Sequence, residues 1–155
     1  MNLYLLIKTL HIISSTLVFG TGIGIAFFML RAYFSPNIQV KYYASVNTVL
    51  ADYLFTLPAV IVQPLSGAWL IWHLGYDWTQ RWLLLSYAIY LIAGLCWLPV
   101  VWIQIQLKQM IVESLNNNSK LPDRYHRLFK LWFLLGWPAF LGLIIVFYLM
   151  VAKPI

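Results

Sequence analysis

Long apolar runs separated by short clusters of charged and amide side chains are the first regularity of the chain. A hydrocarbon core about 30 Å thick needs roughly 20 consecutive apolar residues of helix, because peptide groups in lipid find no water to bond. Four runs reach that length, at about 3–30, 54–73, 82–107 and 131–152. The pattern predicts an all-α fold: one integral membrane domain over residues 1–155 in the form of a four-helix transmembrane bundle. Pro58 and Pro64 fall in the second run, Pro99 in the third and Pro138 in the fourth. Each lies in a stretch too apolar to break into loops, so the expected result is a set of proline-kinked helices. Of the connections, Arg31 to Tyr53 is expected to hold a short amphipathic stretch, and Leu74 to Arg81 a tight turn with Gly75, Asp77 and Trp78. Lys108 to Lys130 reads as the one long loop, broken by Asn116, Asn117, Asn118 and Ser119.

Composition narrows the class. Hydrophobic residues make up 63% of the chain and charged residues 9%, against roughly 25% charged in a soluble domain, which leaves too little polar surface for water. The net charge of +6 is accounted for by basic segments beside anionic headgroups, and no nucleic-acid partner is expected. Arg31, Lys41, Lys108, Lys120, Arg124, Arg127 and Lys130 fall on one side of the predicted bundle, Lys8, Arg81 and Lys153 on the other. By the positive-inside rule both termini lie outside. Trp69, Trp72, Trp78 and Trp82, with Tyr4 and Tyr148, make the expected outer aromatic belt. The first run is long and glycine-interrupted, so it reads as a retained helix and not a cleaved leader. Cys96, the single cysteine, reads as a small packing residue.

Candidate chemistry concentrates at the start of the first helix. Tyr4, Lys8, His11 and Ser15 recur at helical spacing and share one face. Ionisable groups within a span are costly and usually face a bundle interior or a wet cavity, which makes this stripe a functional hypothesis. Lys8 lies close enough to the helix start to snorkel, or to pair with an anionic ligand group. His11 is deeper, and three jobs suit it: a bond to a neighbouring helix, a proton relay, or axial ligation of a haem iron. His73 is its candidate second ligand on the same side, and is equally readable as an interfacial residue of the Trp-rich turn; Met150 shares that side and His126 does not. Gly20 and Gly24 make a GxxxG spacing that reads as a packing surface or as room for a flat ligand, with Gly67, Gly94, Gly136 and Gly142 as further small surfaces. Asp52 is expected to pair with Arg31 or a loop cation.

The segment Leu3-Tyr-Leu-Leu-Ile-Lys-Thr-Leu-His-Ile-Ile-Ser, with the glycine-rich run that follows and Phe28-Met-Leu-Arg31, resembles the opening of domain-of-unknown-function family 2269, a family of uncharacterised bacterial membrane proteins, and the likeness extends along the chain. More distantly it is similar to the HemJ-type protoporphyrinogen oxidases, whose Lys-x-x-His stretch corresponds to Lys8 to His11 here. Pro64-Leu-Ser-Gly67-x-Trp-Leu and the tail with Arg127, Phe129, Pro138 and Val151 to Pro154 share that similarity. It implies a b-type haem held by His11. Ser86 stands where that family has a lysine, and Leu135 and Gly136 stand in place of its Asn-Glu pair, so the resemblance carries the fold and a haem site and not the oxidation itself. Two functional expectations follow. One is a redox-linked haem protein in a bacterial inner membrane, with His11 and His73 as metal ligands and Lys8 and Ser15 in the cofactor site. The other is a non-enzymatic accessory subunit or small transporter component, assembled as a homo-oligomer or within a larger membrane complex.

Overall fold

Asn2 opens the first helix by accepting a hydrogen bond from the Tyr4 amide at 3.0 Å, which satisfies one of the donors that every helix start leaves unpaired. In the computed structural model, which describes residues 2–154, α1 then runs from Leu3 to Tyr33. Asn37 caps α2 (Ile38–Ala51) in the same way, through the Gln39 amide at 2.8 Å. A π-helical turn at Asp52–Thr56 joins α2 to α3 (Leu57–Leu74) without a break. Two long helices complete the chain, α4 (Arg81–Asn116) and α5 (Asp123–Ala152). Among the described residues four continuous helices are long and apolar enough to cross a membrane: Leu3–Tyr33, Ile38–Leu74, Arg81–Asn116 and Asp123–Ala152.

The second span therefore starts at Ile38, well before the expected Leu54. Hydropathy falls through Tyr42, Tyr43 and Asn47, yet nothing between Asn37 and Pro58 stops a helix, so it continues beyond its most apolar part. Pro58 leaves its mark one turn earlier. It has no N–H for the helical ladder, and the preceding turn widens so that the Leu57 amide bonds back to the Asp52 carbonyl. The long loop expected from Lys108 to Lys130 contracts to residues 117–122 for the same reason: α4 and α5 extend past their apolar windows. At the opposite end Gly75 closes α3 in the left-handed region, φ 66°, where a side chain would be strained. Asp77 then accepts from the Thr79 amide at 2.9 Å and its hydroxyl at 2.8 Å, and these bonds hold its carboxyl below the usual range.

α4 packs along α5, α1 along α3, and α2 bridges α1 to α4. Two separate cores hold these pairs together. The larger, at the end carrying most of the basic residues, is built from Ile25, Met29, Ile103, Leu107, Phe129 and Trp132 with their neighbours. Ile71, Trp82, Leu83 and Leu149 form a smaller one at the end where the termini lie. Lys41 is buried beside the larger core, and its Nζ donates to the carbonyls of Ala32, at 3.1 Å, and Tyr33. It thereby neutralises the carbonyl end of α1. Only 6–22% of each apolar window is buried inside the protein, the inverse of a water-soluble fold, so lipid must cover the remainder.

Candidate functional site

The polar stripe on α1 divides. Tyr4 stacks on His73 with ring centroids 5.7 Å apart, and Trp69 stacks on the same imidazole at 4.6 Å. Lys8 is exposed, its Nζ 5.6 Å from the Tyr4 ring centre. Ser15 turns back on its own helix, donating to the Ile12 carbonyl at 2.8 Å. Only His11 reaches into the bundle, and there it meets α3.

With the Gln63 amide oxygen toward Ser14, one arrangement of protons satisfies the cluster. Ser14, buried one turn from the stripe, donates to Gln63 Oε1. Gln63 Nε2 donates to His11 Nε2 at 3.1 Å. His11 Nδ1 then carries the ring proton and donates to Ser66 Oγ at 2.9 Å, and Ser66 donates to the Val62 carbonyl at 2.7 Å. Both ring nitrogens are spent on α3. The faces also meet closely, since a Cβ built on Gly67 would stand 3.1 Å from His11 Cε1. Axial ligation needs a ring nitrogen turned to the iron, and in this arrangement α3 holds both.

Nor does the structure bring His11 and His73 together. His73 belongs to α3 itself, seven residues beyond the Ser66 that His11 bonds, and stacks on Tyr4, seven residues before His11, so the two imidazoles are about 10 Å apart along the helices, whereas two ligands on one metal each lie about 2 Å from it. Met150 packs against the terminal core. Among the described residues no group of three His, Cys, Asp or Glu side chains could hold a metal ion. Ser14, Gln63 and Ser66 are the residues that sequence reasoning missed. The available signal was Gln63, an amide inside an apolar run.

A second polar cluster lies beside the larger core, around the π turn. Asp52 is 5% exposed and Gln104 2%. Asp52 Oδ2, Thr56 Oγ1, Gln104 Oε1 and the indole Nε1 atoms of Trp97 and Trp132 are all buried without a hydrogen-bond partner. Thr56, Gln104 and Trp97 stand beside the carboxylate, yet none of these atoms completes a bond to Oδ2. Asp52 does not pair with Arg31 as expected. Arg31 is exposed on α1, and Lys41 spends its ammonium on α1 carbonyls.

These groups line a cavity of about 420 Å³ whose other walls are almost wholly apolar. Gly22, Gly94 and Gly136 belong to it, and a Cβ on any of them would meet nothing within 4 Å. Of the packing and open-space roles expected for the glycines, Gly94 and Gly136 do not show close packing. They leave open space, as do Gly20 and Gly24, and only Gly67 and Gly142 are closely approached. Ile23, Phe27 and Trp137 line the cavity and are also exposed on the outer surface, so its mouth opens toward lipid. Buried polar atoms are ordinarily satisfied, and five without a partner gather at the wall of this one cavity.

A lipid-embedded four-helix bundle with an internal cavity defines the class. Residues 5–154 match the family described as "Predicted integral membrane protein (DUF2269)", and the chain belongs to that family. No curated protein and no solved structure matches the chain, and none of the comparisons supports the similarity to HemJ-type oxidases.

Proposed function

We propose that this protein is a non-enzymatic membrane component that takes a lipophilic small molecule from the bilayer into the cavity between its helix pairs. The observation that carries the reading is the cavity itself: apolar walls, a mouth on the lipid side, and unsatisfied polar atoms around Asp52. Concave, mostly apolar sites with a few convergent polar groups are the usual form of a small-molecule site. Gly94 lines the cavity, and a Cβ added there would meet nothing within 4 Å, so a leucine at this position starts from open space inside the site. Native mass spectrometry of protein extracted from its own membrane is expected to show a small lipophilic adduct on the wild type and none on Gly94→Leu. A wild type that flies bare, or an adduct untouched by the substitution, overturns the reading.

On this reading His11 is a structural residue that joins α1 to α3, and the same purified sample shows no Soret band. A stoichiometric haem lost in His11→Ala would return the histidine to iron. We further place the protein in a bacterial inner membrane with both termini periplasmic, because Lys41, Lys108, Arg124, Arg127 and Lys130 gather at the other end. Alkaline phosphatase fused after Pro154 is expected to be active; an inactive fusion beside an active cytoplasmic reporter reverses the orientation.

A further inference from the structure

We infer that the molecule taken into this cavity is a lipophilic amine, bound as its ammonium cation with the charge against Asp52 and Gln104 and its hydrocarbon among the aromatic walls. The inference rests on the cavity-binding reading above and adds the chemistry of the occupant.

Charge decides the class. A carboxylate 5% exposed, facing an apolar cavity with its Oδ2 unpartnered, is expensive unless a cation or several donors join it. Thr56, Gln104 and Trp97 stand beside it as neutral groups, and among the described residues no cation lines the cavity. Gln104 Oε1 is a second unpartnered acceptor lining the same cavity. An ammonium group carries several N–H donors and a positive charge, so it can answer both acceptors at once. An alcohol has one donor and answers one. An anion would be repelled by Asp52. The indole N–H groups of Trp97 and Trp132 favour an acceptor, but they are neutral dipoles, and a charge-assisted bond is roughly twice as strong as a neutral one. The Trp97 indole stands beside the Asp52 carboxylate, so its natural acceptor is that group and not the ligand.

The walls select the body of the same molecule. Tyr90, Trp97, Trp132, Phe133, Trp137 and Phe140 line the cavity, and aromatic faces attract an ammonium group as well as the carbon skeleton behind it. Because the mouth is flanked by lipid-exposed side chains, the ligand has to partition into the bilayer before it binds. A small, strongly hydrated cation cannot follow that route, whereas a neutral amine can enter and take the proton of the uncharged Asp52 carboxyl, leaving an ammonium–carboxylate pair.

Three adamantane derivatives of nearly equal size separate charge from shape: the amine, the alcohol and the carboxylate. Each is titrated into the protein in phosphatidylcholine nanodiscs, with tryptophan emission as the readout. Expected is preferential binding of adamantylamine to the wild type, weakened about 10- to 100-fold in Asp52→Asn, with adamantanol weaker than the amine and indifferent to that substitution. Gln104→Leu, which leaves the carboxylate in place, is expected to weaken the amine and spare the alcohol, and it serves if Asp52→Asn fails to fold. Equal binding of amine and alcohol, unchanged in both variants but lost in Gly94→Leu, overturns the cation and leaves the cavity reading standing. Preference for the carboxylate overturns the cation as well. Three compounds that show no saturable binding to the wild type overturn both.

Discussion

Leucine in place of Gly142 is expected to cost the bundle about 1–3 kcal/mol, while alanine in place of Gly136 on the same helix is expected to cost nothing or to stabilise by up to about 1 kcal/mol. The two glycines lie on α5 and differ in what faces them. At Gly142 a Cβ would stand 2.8 Å from Ile89 Cγ2, on the β-carbon branch of a stiff side chain of α4. Neither helix can yield without separating along the most extensive packing surface in the molecule, so the penalty is shared by the whole α4–α5 pair. At Gly136 a Cβ meets nothing within 4 Å; alanine there gains helix propensity and lines the cavity wall. Reversible unfolding in mixed micelles measures both. A tolerated Gly142→Leu, or a Gly136→Ala as damaging as that change, would contradict the packing described for α5.

The second large effect belongs to the His11 cluster. Gln63→Leu removes the acceptor for Ser14 and the donor to His11 Nε2, and the expected loss is about 1–3 kcal/mol, in the range of bonds between membrane helices and of buried groups left unpaired. His11→Leu breaks the same connection from the other side. Since the bonds form one chain from Ser14 to Val62, the two losses should not add: the double variant is expected to fall no further than the worse single by more than a few tenths of a kcal/mol. Full additivity would mean that His11 and Gln63 act independently, and the connected arrangement of protons would be wrong.

Much of the fold could be read from the chain because the bilayer imposes a simple rule, and the four apolar runs obey it. The ends of the helices could not. Hydropathy reports where lipid touches the chain, whereas the ends are set by local chemistry: Asn37 as a cap, Gly75 in the left-handed region, Asn118 with φ 51°. Glycine was ambiguous for a related reason. Spacing gives Gly20, Gly94 and Gly142 the same meaning, and only the neighbouring helix shows that one is packed tightly and the others face open space. His11 stood out because a lone imidazole in a span does so in any sequence. Its partners Gln63 and Ser66 lie 52 and 55 residues away, a separation that no helical period connects. Asp52 was hardest to read, since its burial depends on the widened turn that starts at its own position.

That widened turn gives one helix two allegiances. An α-helix advances about 100° per residue, and a π turn accommodates one residue more than the α geometry would, so the phase of everything after Thr56 is shifted relative to everything before Asp52. The half before the turn packs on both α4 and α1, whereas the half after it packs chiefly on α1. A regular helix of the same sequence would have to choose between burying the carboxylate and meeting the imidazole. The single extra residue held open by Pro58 lets the chain do both, and it makes the spacing between Asp52 and Gln63, more than the identity of the residues between them, the property on which the two polar sites jointly depend.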